Sequence, residues 1–313
     1  MRAFALKEFG DSGSVVDIPT PEPEAGQVRV RVEGAGVNPA DIGMIKGFYK
    51  ERMEHRFPLI PGIDLSGIVD AVGQGVTKWK KGDAVYGAHG KMYVGGGTMA
   101  EYVLAVEGTI AARPSSVGGV DAAALPLAGV SALQCIDALE LKQGDVIVVL
   151  GAAGGIGSFA TQLAKAAGAH VIGVSRAVNF EYVRGRGADE TVDYATTDVF
   201  AAVKAAHPNG IAGVLGARAD KPGLAHLAEL VPNGGHVVSM LGAADVEALA
   251  ARGIKAVNVF TKTATDPLER LARLLEAGTI TLPEITEFPL DRAGKAFAEI
   301  EGAHVRGKLV VKP

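Results

Sequence analysis

The segment GAAGGIG at residues 151–157 has the residue types and the spacing that hold a pyrophosphate. It follows the apolar run VIVVL and opens an amphipathic helical pattern, which is the context that a dinucleotide fingerprint requires. Glycines let backbone N–H groups approach phosphate oxygens, and the helix amino terminus adds unpaired donors. The alternative is a purely structural tight turn. The segment predicts a dinucleotide site formed by Gly151, Ala152, Ala153, Gly154, Gly155, Ile156 and Gly157.

The end of the next strand, HVIGVSR, decides which nicotinamide cofactor this site prefers. An NAD site has an Asp or Glu about 20 residues after the glycine turn, where it binds the ribose hydroxyls. Here Ser175 and Arg176 end the strand, and no carboxylate comes before Glu181. A cation and a hydroxyl suit a 2′-phosphate, so these residues predict NADPH. The alternative is that Arg176 is a solvated surface residue.

Hydrophobic patterns predict the elements that position the glycine turn. Beyond residues 114–121, apolar runs such as DVIVVL, HVIGV, GGHVVSML and KAVNVF alternate with helical patterns, which predicts a doubly wound parallel βαβ sheet. The N-terminal part differs, because runs such as VRVRV at residues 28–32 alternate and predict a mostly-β region. Near the C-terminus we expect a helix at residues 266–277 with Asp266 as N-cap, a second from Asp291, and a strand in GKLVVK.

The composition argues against several classes of partner. The 313-residue chain has 31 basic and 35 acidic side chains, a net charge of −4, which predicts no nucleic-acid binding. Its longest apolar stretches, around residues 122–133 and 146–157, fall short of the ~20 residues of a membrane span. The single Cys135 is expected to be a packed, inert thiol and suits the cytoplasm. The seven histidines show no pair at metal-ligand spacing, so no metal site is expected.

Further segments carry a resemblance to a known family. NPADIGMIKG, PGIDLSGIVDAVG and ALPLAGVSALQCI precede the glycine turn, and GADETVDY, VPNGGHVVSMLG and HVRGKLVV follow it. In this order they resemble the medium-chain dehydrogenase/reductase superfamily, and more closely its zinc-independent quinone oxidoreductase branch, which is ζ-crystallin-like. The resemblance implies an α/β protein with a GroES-like, mostly-β catalytic domain (residues 1–118 and 263–313), a Rossmann NADP-binding domain (residues 119–262), and an active site where they meet.

The zinc ligands of related dehydrogenases are absent from this sequence. Asn38 occupies the position of their cysteine, and Ile63 and Asp64 occupy the positions of a histidine and its neighbouring acid. Without a Lewis acid, oxidation of simple alcohols is hard to explain. A quinone or an α,β-unsaturated carbonyl accepts hydride more readily, because the developing oxyanion is delocalised and polar groups can stabilise it.

The resemblance also implies which residues surround the substrate. Asn38 faces the nicotinamide end of the site, Tyr49 lines the substrate pocket, and Asp41 is a third catalytic candidate. Each has a structural alternative: Asn38 caps a turn before Pro39, Tyr49 is a half-buried aromatic, and Asp41 is an N-cap. Some relatives carry a second tyrosine where this chain has Gly43, so water is an alternative proton donor.

On the cofactor side, the resemblance places Ser131 near the nicotinamide and Tyr194 near the adenosine phosphate. The backbone at Leu241 and Gly242 is expected beside the nicotinamide ribose or carboxamide, and Lys308 is a further candidate contact. The segment GVLGARADKPG at residues 213–223 departs from the family pattern, so the resemblance assigns no cofactor contacts to that loop.

These observations predict an NADPH-dependent, zinc-independent oxidoreductase that transfers hydride to quinones or α,β-unsaturated carbonyls. Two alternatives stay open: an NADPH-binding sensor or structural protein with little turnover, and an enoyl reductase. The apolar run at residues 255–261 is expected to be an edge strand, and pairing with a second copy would cover it. We therefore expect a homodimer.

Overall fold

The computed structural model describes residues 1–91, 93–240, 242–302 and 304–313. The chain divides into two compact units, which are described separately below. Unit 1 consists of Met1–Leu127, Thr263–Ala277 and Leu282–Pro313, and unit 2 of Ala128–Lys262 and Gly278–Thr281.

The boundaries of the units differ from those placed at residues 118 and 263. Residues 119–122 form a short helix that packs on unit 1, where a Cβ added to Gly34 would lie 2.7 Å from the carbonyl oxygen of Val120. The chain therefore stays in unit 1 up to Leu127. Residues 278–281 belong to unit 2, and there the N–H of Thr281 donates to Oε1 of Gln162 at 2.8 Å.

The first part of unit 1 is built mainly from strands, as its alternating pattern predicts. Val28, Val30 and Val32 are buried on one face of a long strand, and the arginines between them lie on the other face. In chain order the elements are β1 Arg2–Ala5, β2 Ser14–Asp17, β3 Gln27–Val37, α1 Pro39–Ile45, β4 Glu54–Ile60, β5 Asp64–Val72, β6 Ala84–Ala88, β7 Tyr93–Gly96, β8 Tyr102–Val106, β9 Ile110–Ala112 and α2 Gly119–Ala122.

Unit 2 contains the doubly wound parallel sheet that the sequence predicts. Its six strands are buried on both faces near the centre, which explains the continuous apolar runs. The elements are α3 Pro126–Leu139, β10 Val146–Leu150, α4 Gly155–Ala166, β11 His170–Ser175, α5 Phe180–Gly185, β12 Glu190–Asp193, α6 Val199–Ala206, β13 Gly213–Gly216, α7 Lys221–Leu227, β14 His236–Ser239, α8 Val246–Ala251 and β15 Lys255–Asn258.

The strand order in this sheet is β12-β11-β10-β13-β14-β15, and every neighbouring pair is parallel. The order reverses beside β10, which is the topological switch point where doubly wound folds bind their ligands. The glycine turn follows β10 directly, so the fold places it at that point. Strand β15 lies at one edge of the sheet and ends at Asn258, before the predicted residue 261.

The last part of the chain returns to unit 1 as α9 Thr265–Glu276, β16 Ile285–Pro289, α10 Ala293–Glu301 and β17 Lys308–Lys312. Strand β17 pairs antiparallel with β3, and Leu309 lies opposite Val37. The resulting sheet has the order β16-β17-β3-β5-β6-β9, and β8 also pairs with β3. Among the described residues, no helix is long and apolar enough to cross a membrane.

Two predicted helix starts were wrong by a few residues. The N-cap of α9 is Ala264 rather than Asp266, because the hydroxyl of Thr265 donates to the carbonyl oxygen of Ile110 at 2.9 Å and draws the start of the helix toward β9. The final helix begins at Ala293 rather than Asp291, since residues 290–292 form a 3₁₀ turn.

Candidate functional site

The glycine turn of unit 2 is a tight backbone cradle. Gly151 has a φ of +77°, a left-handed conformation that favours glycine. The N–H of Gly154 donates to the carbonyl oxygen of Gly151 at 3.0 Å and closes the turn, and Gly154 is the N-cap of α4. The first N–H groups of a helix have no partner within it, so the amino end of α4 presents donors to an anion.

Glycine at position 157 is needed for close packing. A Cβ added to Gly157 would lie 2.2 Å from the carbonyl oxygen of Gly151 and 2.7 Å from Cα of Ala152. A Cβ added to Gly154 would meet its nearest atom, the same oxygen of Gly151, at 3.5 Å. The helix therefore packs against the turn while the outer side of the cradle stays open. This shape fits a dinucleotide pyrophosphate.

Ser175 and Arg176 lie next to this cradle. The N–H groups of Gly151 and Ala152 both donate to the carbonyl oxygen of Val174, at 3.2 and 3.1 Å, which ties the turn to the end of β11. Ser175 is buried and its hydroxyl donates to the carbonyl oxygen of Arg176 at 3.2 Å, whereas the Arg176 side chain is exposed. The position of Arg176 suits a phosphate on the adenosine ribose.

The remaining cofactor-side candidates lie elsewhere in unit 2. Ser131 is buried, and its hydroxyl lies 2.5 Å from that of Thr261. Tyr194 directly follows β12 and is 48% exposed. Gly242 has a φ of +68° and lines an open depression beyond β14, while Leu241 lies outside the described residues. Their contacts with a cofactor stay predictions.

Arg218 is a candidate that the sequence analysis missed. It follows β13, and its Cβ lies 3.1 Å from the place that a Cβ on Gly151 would occupy. Arg218 and Arg176 thus follow the two strands that flank β10, and both side chains are exposed. A basic residue two positions after the strand in GVLGAR was the available signal. Two cations beside the cradle favour an anionic ligand.

In unit 1, Asn38 and Asp41 begin helix α1. Asn38 is the N-cap and Pro39 the first helical residue, so Asp41 is the third residue and not the N-cap that its surroundings suggest. Oδ2 of Asp41 accepts from the N–H of Asn38 at 2.8 Å. Both side chains are buried. Asp41 therefore holds the backbone of Asn38 in a fixed position.

The side chain of Asn38 belongs to a buried polar network. Its Oδ1 accepts from Nζ of Lys308 at 2.6 Å, and its Nδ2 donates to Oδ2 of Asp64 at 2.9 Å. Lys308 also donates to the carbonyl oxygen of Val37 at 2.9 Å and lies 3.7 Å from Oδ2 of Asp64. The other Asp64 oxygen accepts from the N–H of Leu127 at 2.9 Å. This network fixes the orientation of the Asn38 amide.

Lys308 is predicted from the sequence to contact the cofactor, and in the structure it lies buried among polar atoms of unit 1. Its side chain is only 4% exposed, and its ammonium group faces three oxygens of unit 1. Pairing of β17 with β3 brings it there, since Leu309 lies opposite Val37. The structure shows Lys308 bonded to the Asn38 side chain, and its contact with a cofactor stays a prediction.

Burial changes the acid–base properties of this network. It raises the pKa of Asp41 to about 7, although the hydrogen bond from Asn38 opposes this rise. It also raises the pKa of Asp64 against the attraction of Lys308, and it lowers the pKa of Lys308. A backbone hydrogen bond from Gly62 also opposes the rise in the pKa of Asp41.

We expect Asp41→Asn to change how stability depends on pH. Because its pKa is raised from 3.8 to about 7, the folded protein binds a proton in this range that the unfolded chain does not. Stability from this group is therefore lost as pH rises from about 4 to about 7. Between pH 5 and pH 8 the wild type should lose about 2–3 kcal/mol relative to Asp41→Asn. Urea unfolding of both proteins at these pH values measures this, and parallel pH profiles would contradict it.

Tyr49 lies against the helix that Asn38 caps. A Cβ added to Gly43 would lie 2.9 Å from Cε2 and 3.2 Å from the hydroxyl oxygen of Tyr49. Tyr49 is half-buried, so its hydroxyl takes space that a side chain at position 43 would need. The absence of a side chain at Gly43 therefore leaves the space that the Tyr49 ring occupies.

Cys135 is buried in unit 2, as expected of a packed thiol, and its Sγ lies 3.2 Å from Sδ of Met240. Burial raises the pKa of this thiol to about 12. It is protonated at neutral pH and is a poor nucleophile.

Family models match two parts of the chain. Residues 24–115 match the alcohol dehydrogenase GroES-like domain, and residues 186–311 match a family described as zinc-binding dehydrogenase. The chain is 33% identical to the chloroplast envelope quinone oxidoreductase homolog of Arabidopsis thaliana, over all of this chain and 98% of the relative. It is 30% identical to the NADPH-dependent alkenal/one oxidoreductase of the same plant, over all of this chain and 80% of that protein.

Solved structures of two bacterial quinone oxidoreductases superimpose on the whole chain. The quinone oxidoreductase from Coxiella burnetii superimposes with a TM-score of 0.89 and is 29% identical, with 100% of this chain and 99% of that chain covered. The quinone oxidoreductase of Pseudomonas syringae superimposes with a TM-score of 0.88 at 25% identity, over 100% of this chain and 99% of that one.

The Asn38 network does not fit the zinc ion that the second family description implies. Zinc in proteins takes thiolate, imidazole and carboxylate ligands. Here the Asp64 carboxylate faces an amide and an ammonium group, and the ammonium of Lys308 already supplies the positive charge. Among the described residues, no group of three metal-ligating side chains forms in unit 1.

Proposed function

Because this chain belongs to the zinc-independent quinone oxidoreductase branch of the medium-chain dehydrogenase/reductase superfamily, we propose that it reduces quinones or α,β-unsaturated carbonyls with NADPH. The observation that carries this proposal is the glycine cradle of unit 2, which is shaped for a pyrophosphate and flanked by Arg176 and Arg218. The names of the relatives, a quinone oxidoreductase homolog and an alkenal/one oxidoreductase, support the two acceptor classes.

The chemistry needs little from the protein beyond binding, orientation and polar stabilisation. A bound nicotinamide supplies the hydride. When an enal accepts hydride at its β-carbon, negative charge moves to the carbonyl oxygen, and a proton then adds to the α-carbon. When a quinone is reduced, both oxygens finally carry protons. In each case a hydrogen-bond donor near the oxygen lowers the barrier.

Two groups of unit 1 are proposed for these polar roles. The Asn38 amide donates one hydrogen to Asp64, while its contact to the carbonyl oxygen of Gly36 is long, at 3.5 Å. Its second hydrogen is therefore the proposed donor to the acceptor oxygen. The Tyr49 hydroxyl is the proposed proton donor, and water is the alternative.

The choice of NADPH over NADH rests on Arg176. We expect Arg176→Glu to raise the KM for NADPH by about 10- to 100-fold, because a charge-assisted hydrogen bond contributes about 1.5–3 kcal/mol. The KM for NADH should change little, since NADH has no 2′-phosphate. Initial rates with both cofactors measure this. Arg184→Glu, a charge reversal on α5, is the matched control. Equal changes for both cofactors would remove the 2′-phosphate argument.

Initial rates of NADPH oxidation test the proposed activity. The purified protein is treated with a chelator and assayed with matched series of quinones and 2-enals, with a protein-free control. We expect acceptor-dependent NADPH oxidation that chelation leaves unchanged, and the faster series identifies the acceptor class. Activity that chelation abolishes and zinc restores would contradict the metal-free mechanism.

We also propose a homodimer in the cytoplasm. Strand β15 is an edge of the parallel sheet; Val257 on this strand is 39% exposed, and Phe260, two residues beyond its end, is 79% exposed. Edge-to-edge pairing of two copies of β15 would cover this edge. The single cysteine supports the cytoplasmic assignment, because disulfides are rare in that compartment.

A further inference from the structure

Three side chains of unit 2 lie close together at the end of the parallel sheet where its strands begin, opposite the end that carries the glycine cradle. His170 is the first residue of β11, Glu190 is the first residue of β12, and His207 is the C-cap of α6. The cradle follows the carboxyl end of β10, whereas these strands begin at the amino edge. The cluster is therefore separate from the cofactor site.

The ligand-type atoms of this cluster are close together. Oε1 of Glu190 lies 2.6 Å from Nε2 of His170 and 2.9 Å from Nε2 of His207. All three residues are half-buried, and one ligand atom from each lies within 4.8 Å of the others. The sequence analysis found no histidine pair at metal-ligand spacing because the histidines lie 20 and 17 residues from Glu190 along the chain.

We propose that His170, Glu190 and His207 bind a zinc ion that stabilises unit 2. Two imidazole nitrogens and one carboxylate oxygen are ligands that zinc prefers, with water in the fourth position. A tetrahedral zinc ion with bonds of about 2.1 Å separates its ligand atoms by about 3.4 Å. Small side-chain movements away from the present 2.6 and 2.9 Å separations give this spacing. The ion would then lie between the two Nε2 atoms and Oε1 of Glu190, in place of the short contacts that now join them.

A second carboxylate supports this assignment. Oδ2 of Asp189 lies 3.9 Å from Nδ1 of His170, on the side of the ring away from Glu190. Asp189 is held by Nζ of Lys165 at 2.5 Å and by the N–H of Val171 at 2.9 Å. Histidines that bind zinc commonly donate their other ring N–H to a carboxylate, which orients the ring, and Asp189 lies on that side of His170 but beyond hydrogen-bond distance.

The ion would link β11, β12 and α6, which are brought together only by folding. Because the unfolded chain has no such preformed site, zinc binding adds to the stability of the folded protein. The location at the amino edge of the sheet predicts that zinc affects stability and leaves turnover unchanged.

Zinc titration of the metal-stripped full-length chain tests the proposal. Calorimetry should show one zinc ion bound per chain, and zinc at 100 times its Kd should raise the Tm by about 5 °C. His207→Asn and Glu190→Gln should remove both effects. His226→Asn is the matched control, because His226 is an exposed histidine of unit 2 that pairs with Glu229. It should leave zinc binding unchanged.

Three outcomes would overturn the proposal. The first is that the wild type shows no saturable zinc binding. The second is that zinc binding survives in both His207→Asn and Glu190→Gln, which would place the ion elsewhere. The third is that NADPH oxidation changes when zinc is removed and restored, which would give the ion a role in turnover rather than in stability.

Discussion

Lys308→Met is expected to lower the free energy of unfolding by about 3–5 kcal/mol, because it leaves a buried carboxylate without its cation. Lys308 is only 4% exposed and lies 3.7 Å from Oδ2 of Asp64, which is itself fully buried. Methionine fills a similar volume, so the loss reports the charge and the hydrogen bonds to Asn38 and Val37. Urea unfolding followed by circular dichroism measures it.

Two further variants separate this effect from a general loss of packing. Lys312→Met removes an exposed lysine from the same strand, β17, and should change stability by less than about 0.5 kcal/mol. Adding Asp64→Asn to Lys308→Met removes the unpaired charge and should recover part of the loss. If Lys308→Met and Lys312→Met are equally stable, the buried ion pair does not have the role assigned to it.

Gly157→Ala is expected to raise the Kd for NADPH by about 100-fold or more, equivalent to about 2.7 kcal/mol. The added Cβ would lie 2.2 Å from the carbonyl oxygen of Gly151, so helix α4 and the turn must move apart. Because the donors at the start of α4 then no longer converge on the pyrophosphate, the cradle loses its main contacts. Fluorescence titration with NADPH measures the change.

The control for this variant is Gly185→Ala. Gly185 ends helix α5 in the same unit, and a Cβ added there meets no atom of the described residues within 4 Å. Its Kd for NADPH should equal that of the wild type. Circular dichroism at the assay temperature confirms that both variants are folded. A Gly157→Ala protein that binds NADPH as tightly as Gly185→Ala would show that the cofactor does not occupy the cradle.

Features made by neighbouring residues could be predicted from the sequence. The glycine turn, its strand and its helix lie within residues 146–166, so their residue types and spacing predict them without any distant contact. The alternation of VRVRV likewise gave the buried face of β3, since side chains of a strand alternate between its faces.

Features made by distant residues could not be predicted. Lys308 meets Asn38 across 270 residues, and only the pairing of β17 with β3 brings them together. The start of α9 depends on a contact of Thr265 with Ile110 across 155 residues, which local capping rules cannot include. The position of Arg218 beside Gly151 likewise depends on the strand order, because β13 pairs with β10.

Anaerobic single-turnover reduction tests the central claim most directly. The protein is loaded with one equivalent of NADPH and mixed with an excess of a quinone or a 2-enal, and NADPH absorbance and products are followed together. We predict that one hydroquinone or saturated aldehyde forms for each NADPH that is oxidised. In the Gly157→Ala protein we predict far slower oxidation of NADPH. Bound NADPH that persists with both acceptor classes would contradict the proposed activity and leave a cofactor-binding protein without turnover.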